Sequence, residues 1–350
     1  MKSKNLGVLG GGAWGTGLAQ ALAQGGHQVQ MWALEKEVKE SVNNEHENKR
    51  YLPGYKLSPN LTVSNDIEEV ATDKEFLIIA SPSLFLASTI KKITSVANIS
   101  DGSTIIAALT KGFVPSADGP KLVLETIENV LPGIYKGNTV YISGPSHAEE
   151  VAMGKITGLI AASKNPKNSI KVRELLHVPG IMVYPSLDII GVQVCAAAKN
   201  VIAIVYGALD AISEHSKIFG DNSESLLLAA GLNEIQTLGM AMGATHPETF
   251  TSIAGVGDLD VTCKSKFGRN RRFGNEIIRD GILTEFKNLD DLIENIGKIG
   301  YLPEGAVACK YIHEICERKN IKLKICEGLY KILNKEIRPL DFLDQLLLKG

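Results

Sequence analysis

Residues 5–19 read NLGVLGGGAWGTGLA and decide the fold of the N-terminal half of the chain. A short apolar run suits a buried parallel strand, Gly10, Gly12 and Gly15 satisfy G-x-G-x-x-G, and helix-forming residues follow. In a strand–turn–helix unit, Gly10 permits the tight turn, Gly12 lets the backbone approach a pyrophosphate, and Gly15 lets the helix pack close to the strand. The helix N-terminus then faces the negative phosphate. We therefore predict a dinucleotide-binding turn; the alternative is a glycine-rich loop in another α/β protein.

Length and composition indicate an ordinary globular protein of two domains. The 350 residues are 44% apolar and 22% charged, with a net charge of -2, and a chain of this length exceeds one typical core. The near-neutral charge disfavours nucleic acid or a membrane surface as the main partner. Five cysteines without C-x-x-C spacing favour buried reduced thiols over disulfides or zinc, and no secretory signal opens the chain. We therefore expect a cytoplasmic protein with no metal site.

Short apolar runs alternate with helical patterns through the first half of the chain. After the first strand, further runs lie at 27–32, 75–80, 104–109, 139–143, 158–162 and 181–184. This alternation predicts an α/β, Rossmann-type doubly wound parallel sheet, whose ligands bind beyond the carboxyl ends of the strands. Lys111 and residues 144–148 follow such ends. From about residue 187 only helical patterns remain, so we predict a dinucleotide-binding domain over 1–186 and an all-helical, substrate-binding C-terminal domain over 187–350.

Residues 189–212 are almost continuously apolar, with Lys199 near the middle. The length suits a membrane span, but a central lysine costs a lipid-embedded helix roughly 3 kcal/mol, so we predict a core helix and no membrane span. Two explanations of Lys199 stay open at this point. It is paired with a carboxylate or reaches the surface, or it lines a cleft between domains where its pKa can be tuned for proton transfer.

A basic cluster follows the segment GVGDL at 255–259. Residues 268–274 read GRNRRFG and place three arginines within four residues, with Asn270 among them. Such a group binds phosphate when it lies near a helix N-terminus; the alternative is a solvated basic face. Taken with the glycine turn, Lys111 and Lys199, the cluster fits a phosphorylated substrate that undergoes hydride transfer.

The chain closely resembles the NAD(P)-dependent glycerol-3-phosphate dehydrogenases of bacterial type, over nearly its whole length. The motifs that carry the resemblance are GGGAWGTGLA at 10–19, NKRYLPG at 48–54, TKG at 110–112, GPSHA at 144–148, AKNVIAI at 198–204, GVGDL at 255–259 and RNRRFG at 269–274. The resemblance implies reversible hydride transfer between NAD(P)H and dihydroxyacetone phosphate. The product, sn-glycerol 3-phosphate, would serve phospholipid synthesis.

The resemblance also implies roles for individual residues. Lys199 would be the proton acceptor of glycerol-3-phosphate oxidation, and Lys111 would add a second catalytic cation. The implied substrate contacts are Lys111, Gly144, Ser146, Lys199, Asp258, Gly268, Arg269 and Asn270. The implied cofactor contacts are Ala13, Trp14, Lys111, Ala148, Arg269, Leu302 and Glu304. The glycines of the turn, Gly10, Gly12 and Gly15, complete the predicted cofactor site. Asp258 would hold Lys199 or cap a helix, and Gly268 replaces a serine, which leaves only a backbone contact there.

Cofactor preference depends on the residues after the second strand. In a dinucleotide fold, an acidic residue about 20 positions beyond the glycine turn binds the ribose 2′-hydroxyl and disfavours a 2′-phosphate. Glu35 lies 20 residues beyond Gly15, and Leu34 stands where the family tends to have a basic residue. Against this, Lys36 could swing round and Glu35 could point into solvent. We predict that both cofactors work and that NAD(H) is weakly favoured.

Two other functions compete with this interpretation. A dehydrogenase of a β-hydroxy acid would share the glycine turn and a helix lysine but would not need RNRRFG. A non-catalytic dinucleotide sensor would need no Lys199. The sequence leaves open whether the chain forms a homodimer.

Overall fold

The computed structural model describes residues 3–265 and 268–348. Contacts between residues divide the chain into two units. The first takes residues up to Val114 and the range Lys121–Ile189, and the second takes Pro115–Pro120 and the residues from Ile190 onward.

The first unit is built on one eight-stranded sheet. Its strands are β1 (Asn5–Leu9), β2 (Gln28–Trp32), β3 (Leu61–Ser64), β4 (Phe76–Ile79), β5 (Ile105–Ala108), β6 (Val140–Ser143), β7 (Thr157–Ala162) and β8 (Ile181–Ser186). Their order is β3-β2-β1-β4-β5-β6-β7-β8, and every neighbouring pair is parallel except β6 and β7. The Rossmann-type sheet is therefore confirmed, with two departures. Strand β3 was not predicted, and β7 and β8, which are parallel to each other, run opposite to the other six strands.

Helices cover this sheet and bury its apolar strands. In the first unit they are α1 (Ala13–Gln24), α2 (Lys36–Glu45), α3 (Ile67–Ala71), α4 (Leu86–Lys91), α5 (Ala97–Ser100), α6 (Val123–Val130), α7 (Ala148–Ala152) and α8 (Pro166–Leu175). Strands β4 and β6 are buried along their whole length, as expected for central strands of a sheet covered on both faces. The carboxyl ends of β1, β4, β5 and β6 lie along one edge of the sheet, because these strands run parallel.

The second unit is helical in the part that the structure describes. Its helices are α9 (Ile189–Ser213), α10 (Asp221–Met242), α11 (Glu248–Thr251), α12 (Asp258–Lys264), α13 (Arg269–Arg279), α14 (Leu289–Glu294), α15 (Glu304–Lys319), α16 (Lys324–Leu333) and α17 (Pro339–Leu348). Among the described residues, α9 alone is long and apolar enough to cross a membrane, and 89% of its most apolar window is buried inside the protein. That burial is the arrangement of a core helix, as the lysine in its middle predicts.

The second unit also includes six residues from the loop between β5 and α6. Val114 and Lys121 close the base of this loop with two backbone hydrogen bonds of 2.9 Å. Within the loop, the carbonyl of Asp118 accepts a hydrogen bond from the Arg318 guanidinium of α15. The loop is therefore attached to a helix 200 residues further along the chain.

Candidate active site

The glycine turn joins β1 to α1, and its three glycines meet different surroundings. Gly10 has φ +137°, and a Cβ there would lie 2.7 Å from the carbonyl oxygen of Ala80. A Cβ at Gly15 would overlap the carbonyl of Gly10, whereas a Cβ at Gly12 would meet nothing within 4 Å. The first and third glycines thus allow the tight turn and the close helix, and the second faces open space. This shape fits a pyrophosphate at the N-terminus of α1.

Ala13 and Trp14 are the first two residues of α1, with Gly12 as its N-cap. The Trp14 side chain packs against the core of the sheet unit, and its buried indole N–H has no hydrogen-bond partner among the described residues. Ala148 begins α7, and a Cβ at Gly17 of α1 would lie 2.8 Å from its carbonyl oxygen. The predicted cofactor residues Ala13, Trp14 and Ala148 are therefore brought to one end of α1.

Lys111, Gly144 and Ser146 meet at the carboxyl ends of the neighbouring strands β5 and β6. The Lys111 ammonium lies 3.4 Å from the Gly144 carbonyl oxygen, and the Ser146 hydroxyl donates to the same oxygen at 3.0 Å. Gly144 has φ +132°, a conformation that favours glycine because it has no Cβ. Three of the predicted substrate residues therefore surround one backbone carbonyl.

Lys199 lies in α9 and forms a buried ion pair with Asp258, the first residue of α12. Its ammonium donates to the Asp258 carboxylate and, at 2.9 Å, to the Thr262 hydroxyl. The side chains of Lys199 and Asp258 are only 6% and 1% exposed. The Thr262 hydroxyl in turn donates to the Asp258 backbone carbonyl at 2.6 Å. A buried pair of charges persists only when such hydrogen bonds compensate its lost hydration. The carboxylate partner considered for Lys199 is thus present.

Asn270, in the first turn of α13, connects two other helices. Its amide nitrogen donates to the Asn200 side-chain oxygen at 3.0 Å, and its own oxygen accepts from the backbone N–H of Gly305, near the start of α15, at 2.8 Å. This places Asn270 beside the helix that Glu304 begins. The Asn270 amide is therefore engaged within the unit rather than exposed toward solvent.

The backbones of α13 and α9 approach each other closely, which positions the first turn of α13. A Cβ at Gly274 would overlap the carbonyl oxygen of Ile204, and one at Gly207 would overlap the carbonyl oxygen of Arg271. Any side chain at either glycine would push the two helices apart. Arg269 and Asn270 therefore owe their placement beside α9 to two glycines within these helices.

The three arginines of the cluster have different environments. Arg271 donates two hydrogen bonds to the Asp210 carboxylate, and Arg272 pairs with Glu276. Arg269, the first residue of α13, is exposed and has no ion pair among the described residues. Two of the arginines are therefore held by carboxylates, and Arg269 is the one without such an ion pair among the described residues.

Gly268 and Leu302 precede α13 and α15. The Gly268 N–H donates to the Ser265 carbonyl at 3.1 Å, and its carbonyl accepts from Arg272 at 2.9 Å. Its backbone is thus used within the unit, and a substrate contact there remains a prediction. The Leu302 carbonyl accepts from the Glu304 N–H at 3.2 Å, so these two predicted cofactor residues form the turn into α15.

Beyond β2, Leu34 is 72% exposed, and Glu35 lies at the N-cap of α2. The Tyr51 hydroxyl donates to the Glu35 carboxylate at 2.6 Å. The Arg50 guanidinium lies 5.3 Å from the centre of the Tyr51 ring. The Glu35 carboxylate is therefore held by Tyr51 and does not extend freely into solvent, which was one of the alternatives.

Several side chains around these positions had no role assigned from the sequence. Thr262 lies four residues after Asp258 on the same face of α12, and that i, i+4 spacing was a readable signal. Asn200 follows Lys199 directly, but nothing in the sequence predicts its bond to Asn270. Asn48 lies under the glycine turn, where its amide donates to the Gly11 carbonyl.

Comparisons with known proteins are consistent with this geometry. Family models described as NAD-dependent glycerol-3-phosphate dehydrogenase N-terminus and C-terminus match residues 5–169 and 188–344. The chain is 59% identical over 348 residues to "Glycerol-3-phosphate dehydrogenase [NAD(P)+]" of Treponema denticola, covering 98% of each chain. The Treponema pallidum protein of that name is 49% identical over 98% of this chain and 99% of its own.

Solved structures give the same picture. Glycerol-3-phosphate dehydrogenase from Coxiella burnetii superposes with a TM-score of 0.85 at 30% identity, covering 99% of each chain. The Saccharomyces cerevisiae enzyme has a TM-score of 0.79 at 27% identity, covering 99% of this chain and 100% of that one.

Proposed function

The chain belongs to the NAD-dependent glycerol-3-phosphate dehydrogenase family, and we propose that its own Lys199 exchanges the proton in that reaction. The enzyme interconverts dihydroxyacetone phosphate and sn-glycerol 3-phosphate with NAD(P)(H). The observation that supports the role of Lys199 is its position: a lone lysine of an apolar helix, buried and held by Asp258 and Thr262.

When bound, the nicotinamide cofactor supplies hydride to C2 of the ketone or accepts it from the alcohol. In reduction, the protonated Lys199 stabilises the negative charge that develops on the carbonyl oxygen and donates the proton to it. In oxidation, the neutral amine of Lys199 accepts the hydroxyl proton. Asp258 and Thr262 orient the amine, because each occupies one of its hydrogen-bonding directions.

The phosphate end of the substrate requires a different kind of group. Arg269 is an exposed guanidinium at the N-terminus of α13, where the first-turn N–H groups have no intrahelical partner. We assign phosphate recognition to Arg269, with Asn270 holding this turn against α9 and α15. Binding at the non-reacting end then positions the carbonyl for the chemical step.

Lys111, Gly144 and Ser146 belong to the sheet unit and lie where a Rossmann-type fold binds its ligands. The Lys111 ammonium would orient substrate and cofactor by its charge. Gly12, Ala13 and Trp14 would hold the pyrophosphate and Ala148 would line the same end of α1.

A cytoplasmic location belongs to this proposal as well, and a homodimer stays a prediction that light scattering would test.

The proposal is tested by following the absorbance of NADH and of NADPH with dihydroxyacetone phosphate as substrate. We expect turnover with both cofactors and little turnover with unphosphorylated dihydroxyacetone or with a β-keto acid. Cofactor binding without turnover of any substrate would favour a dinucleotide sensor instead. Turnover of the β-keto acid alone would favour a β-hydroxy acid dehydrogenase.

A further inference from the structure

The motif NKRYLPG at 48–54 has no role in the chemistry above, yet its first residue contacts the glycine turn. Asn48 is completely buried. Its amide nitrogen donates to the Gly11 carbonyl at 2.9 Å and to the Thr16 hydroxyl oxygen at 2.8 Å. Its amide oxygen accepts from the Tyr51 N–H at 3.1 Å. All three partners belong to the sheet unit, and Gly11 lies 37 residues before Asn48 in the sequence.

The bond to Gly11 has a consequence for the next residue. The Gly11 carbonyl and the Gly12 N–H belong to one planar trans peptide, so they point in opposite directions. When Asn48 draws the carbonyl toward the protein interior, the Gly12 N–H is directed the other way. A Cβ added at Gly12 meets no atom within 4 Å, so there is open space beside Gly12.

We propose that Asn48 is a positioning residue for the dinucleotide turn: it fixes the Gly11 peptide so that the loop N–H groups face the cofactor pyrophosphate. Rotation of this peptide would present a carbonyl oxygen to the phosphate in place of a donor. Thr16 supports the same arrangement, because its hydroxyl lies 3.3 Å from the Gly11 carbonyl oxygen. The inference rests on the proposed function in that the bound group is NAD(P)(H).

Asn98 of α5 provides a matched control in the same unit. Its amide nitrogen donates to the Ala71 carbonyl at 2.9 Å and to the Thr104 hydroxyl oxygen at 2.6 Å, and its oxygen accepts from the Asp73 N–H at 3.0 Å. The bonding pattern is that of Asn48: one backbone carbonyl, one threonine hydroxyl and one backbone N–H. Asn98, however, supports the segments that enter β4 and β5, at the opposite edge of the sheet from the glycine turn.

The test compares Asn48→Asp with Asn98→Asp, since each replaces an NH₂ donor by an oxygen of similar size. We expect both substitutions to lower the thermal midpoint. Only Asn48→Asp should weaken NADH binding in a fluorescence titration, on the order of 10-fold, because an unmet buried bond leaves the peptide free to rotate. The KM for NADH should rise, while the KM for dihydroxyacetone phosphate at saturating NADH stays within about twofold.

A second measurement needs no cofactor. Hydrogen exchange of the peptide covering residues 10–18 should be faster in the Asn48→Asp apoprotein than in the parent and unchanged in Asn98→Asp. If Asn48→Asp does not fold, Asn48→Ala and Asn98→Ala give the same comparison without a new charge.

Two results would overturn the inference: NADH affinity of the Asn48 variant equal to that of the parent, or equal losses in the Asn48 and Asn98 variants. Failure of the parent itself to bind NADH would instead refute the proposed function, and the exchange comparison would still decide whether Asn48 orders the turn.

Discussion

Lys199 and Lys111 are both lysines of short motifs, yet the two units of the molecule hold them differently. Lys199 lies in the middle of a core helix, and its described partners are a buried carboxylate and a hydroxyl. Lys111 follows a strand end, is half-buried, and lies 3.4 Å from the Gly144 carbonyl oxygen. Asp258 compensates the full charge of Lys199 and fixes its position, whereas Lys111 is only half-buried and keeps part of its hydration. The difference suits Lys199 to proton transfer at one atom and Lys111 to orienting a charged ligand.

The same contrast extends to stability. Because Asp258 is almost fully buried, removing Lys199 leaves a carboxylate without its counter-charge, and breaking such a pair costs about 3–5 kcal/mol. Lys111 is only half-buried, so water can partly replace its side chain when it is removed. Activity and stability should therefore fall together in variants of Lys199 and separate in variants of Lys111.

The largest effect is expected for Lys199→Ala. The kcat should fall by ~10²–10⁴ or more, because a general acid–base and a stabilising charge are lost together. The thermal midpoint should fall too, while NADH still binds. The double variant Lys199→Met with Asp258→Asn removes both charges and should recover stability without activity. A kcat within a few-fold of the parent would remove Lys199 from the mechanism.

The next effect concerns the exposed charge of the helical unit. Arg269→Ala should lower kcat/KM for dihydroxyacetone phosphate, with a loss of transition-state stabilisation of roughly 2–5 kcal/mol. The effect on dihydroxyacetone should be far smaller, since the lost bond is to phosphate. Arg272→Ala is the control, because Arg272 is also exposed but pairs with Glu276. Equal losses on both substrates would mean that Arg269 serves the cofactor or the fold.

Lys111→Ala tests the other side of the comparison. We expect kcat/KM to fall, with a loss of transition-state stabilisation of about 1.5–3 kcal/mol, the range for a hydrogen bond to a charged group. The thermal midpoint should change little. Lys111→Arg keeps the charge and should lose less. A drop in stability as large as that of Lys199→Ala would show that the two lysines are held alike.

The smallest effect is expected at Leu34. Because this side chain is 72% exposed, Leu34→Arg costs little packing and adds a charge after β2. An exposed ion pair contributes about 0.2–1 kcal/mol, so the ratio of kcat/KM for NADPH to that for NADH should rise up to about fivefold. Leu187→Arg, at another exposed leucine of the first unit, should leave the ratio unchanged. A parent that already prefers NADPH tenfold would contradict the role assigned to Glu35.

Features with local causes were predictable from the sequence. The glycine turn, the parallel strands around it and the buried helix carrying Lys199 follow from spacing and apolar runs. Strand β3 was missed because Thr62 and Ser64 interrupt its apolar residues, so LTVS forms no continuous apolar run like those of β4 and β5. The antiparallel direction of β7 was missed because an apolar run carries no sign of its direction.

The site shows the same limit. A lone lysine in an apolar helix predicts a partner, but the pairing with Asp258 joins residues 59 positions apart, and it is set by how α9 and α12 pack. The contact of Asn270 with phosphate stays a prediction, and its amide also binds Asn200 and Gly305. Residue type alone could not distinguish these uses, because an amide serves a ligand and a neighbouring helix equally well.

The attachment of the 115–120 loop to Arg318 sets an order of events during synthesis. The loop leaves the ribosome with the sheet unit, but its partner is made 200 residues later. At about 5–20 residues per second, that interval lasts roughly 10–40 s. The sheet unit can close the base of the loop through Val114 and Lys121 in the meantime. The loop that follows Lys111 therefore reaches its final contacts only after α15 has been translated.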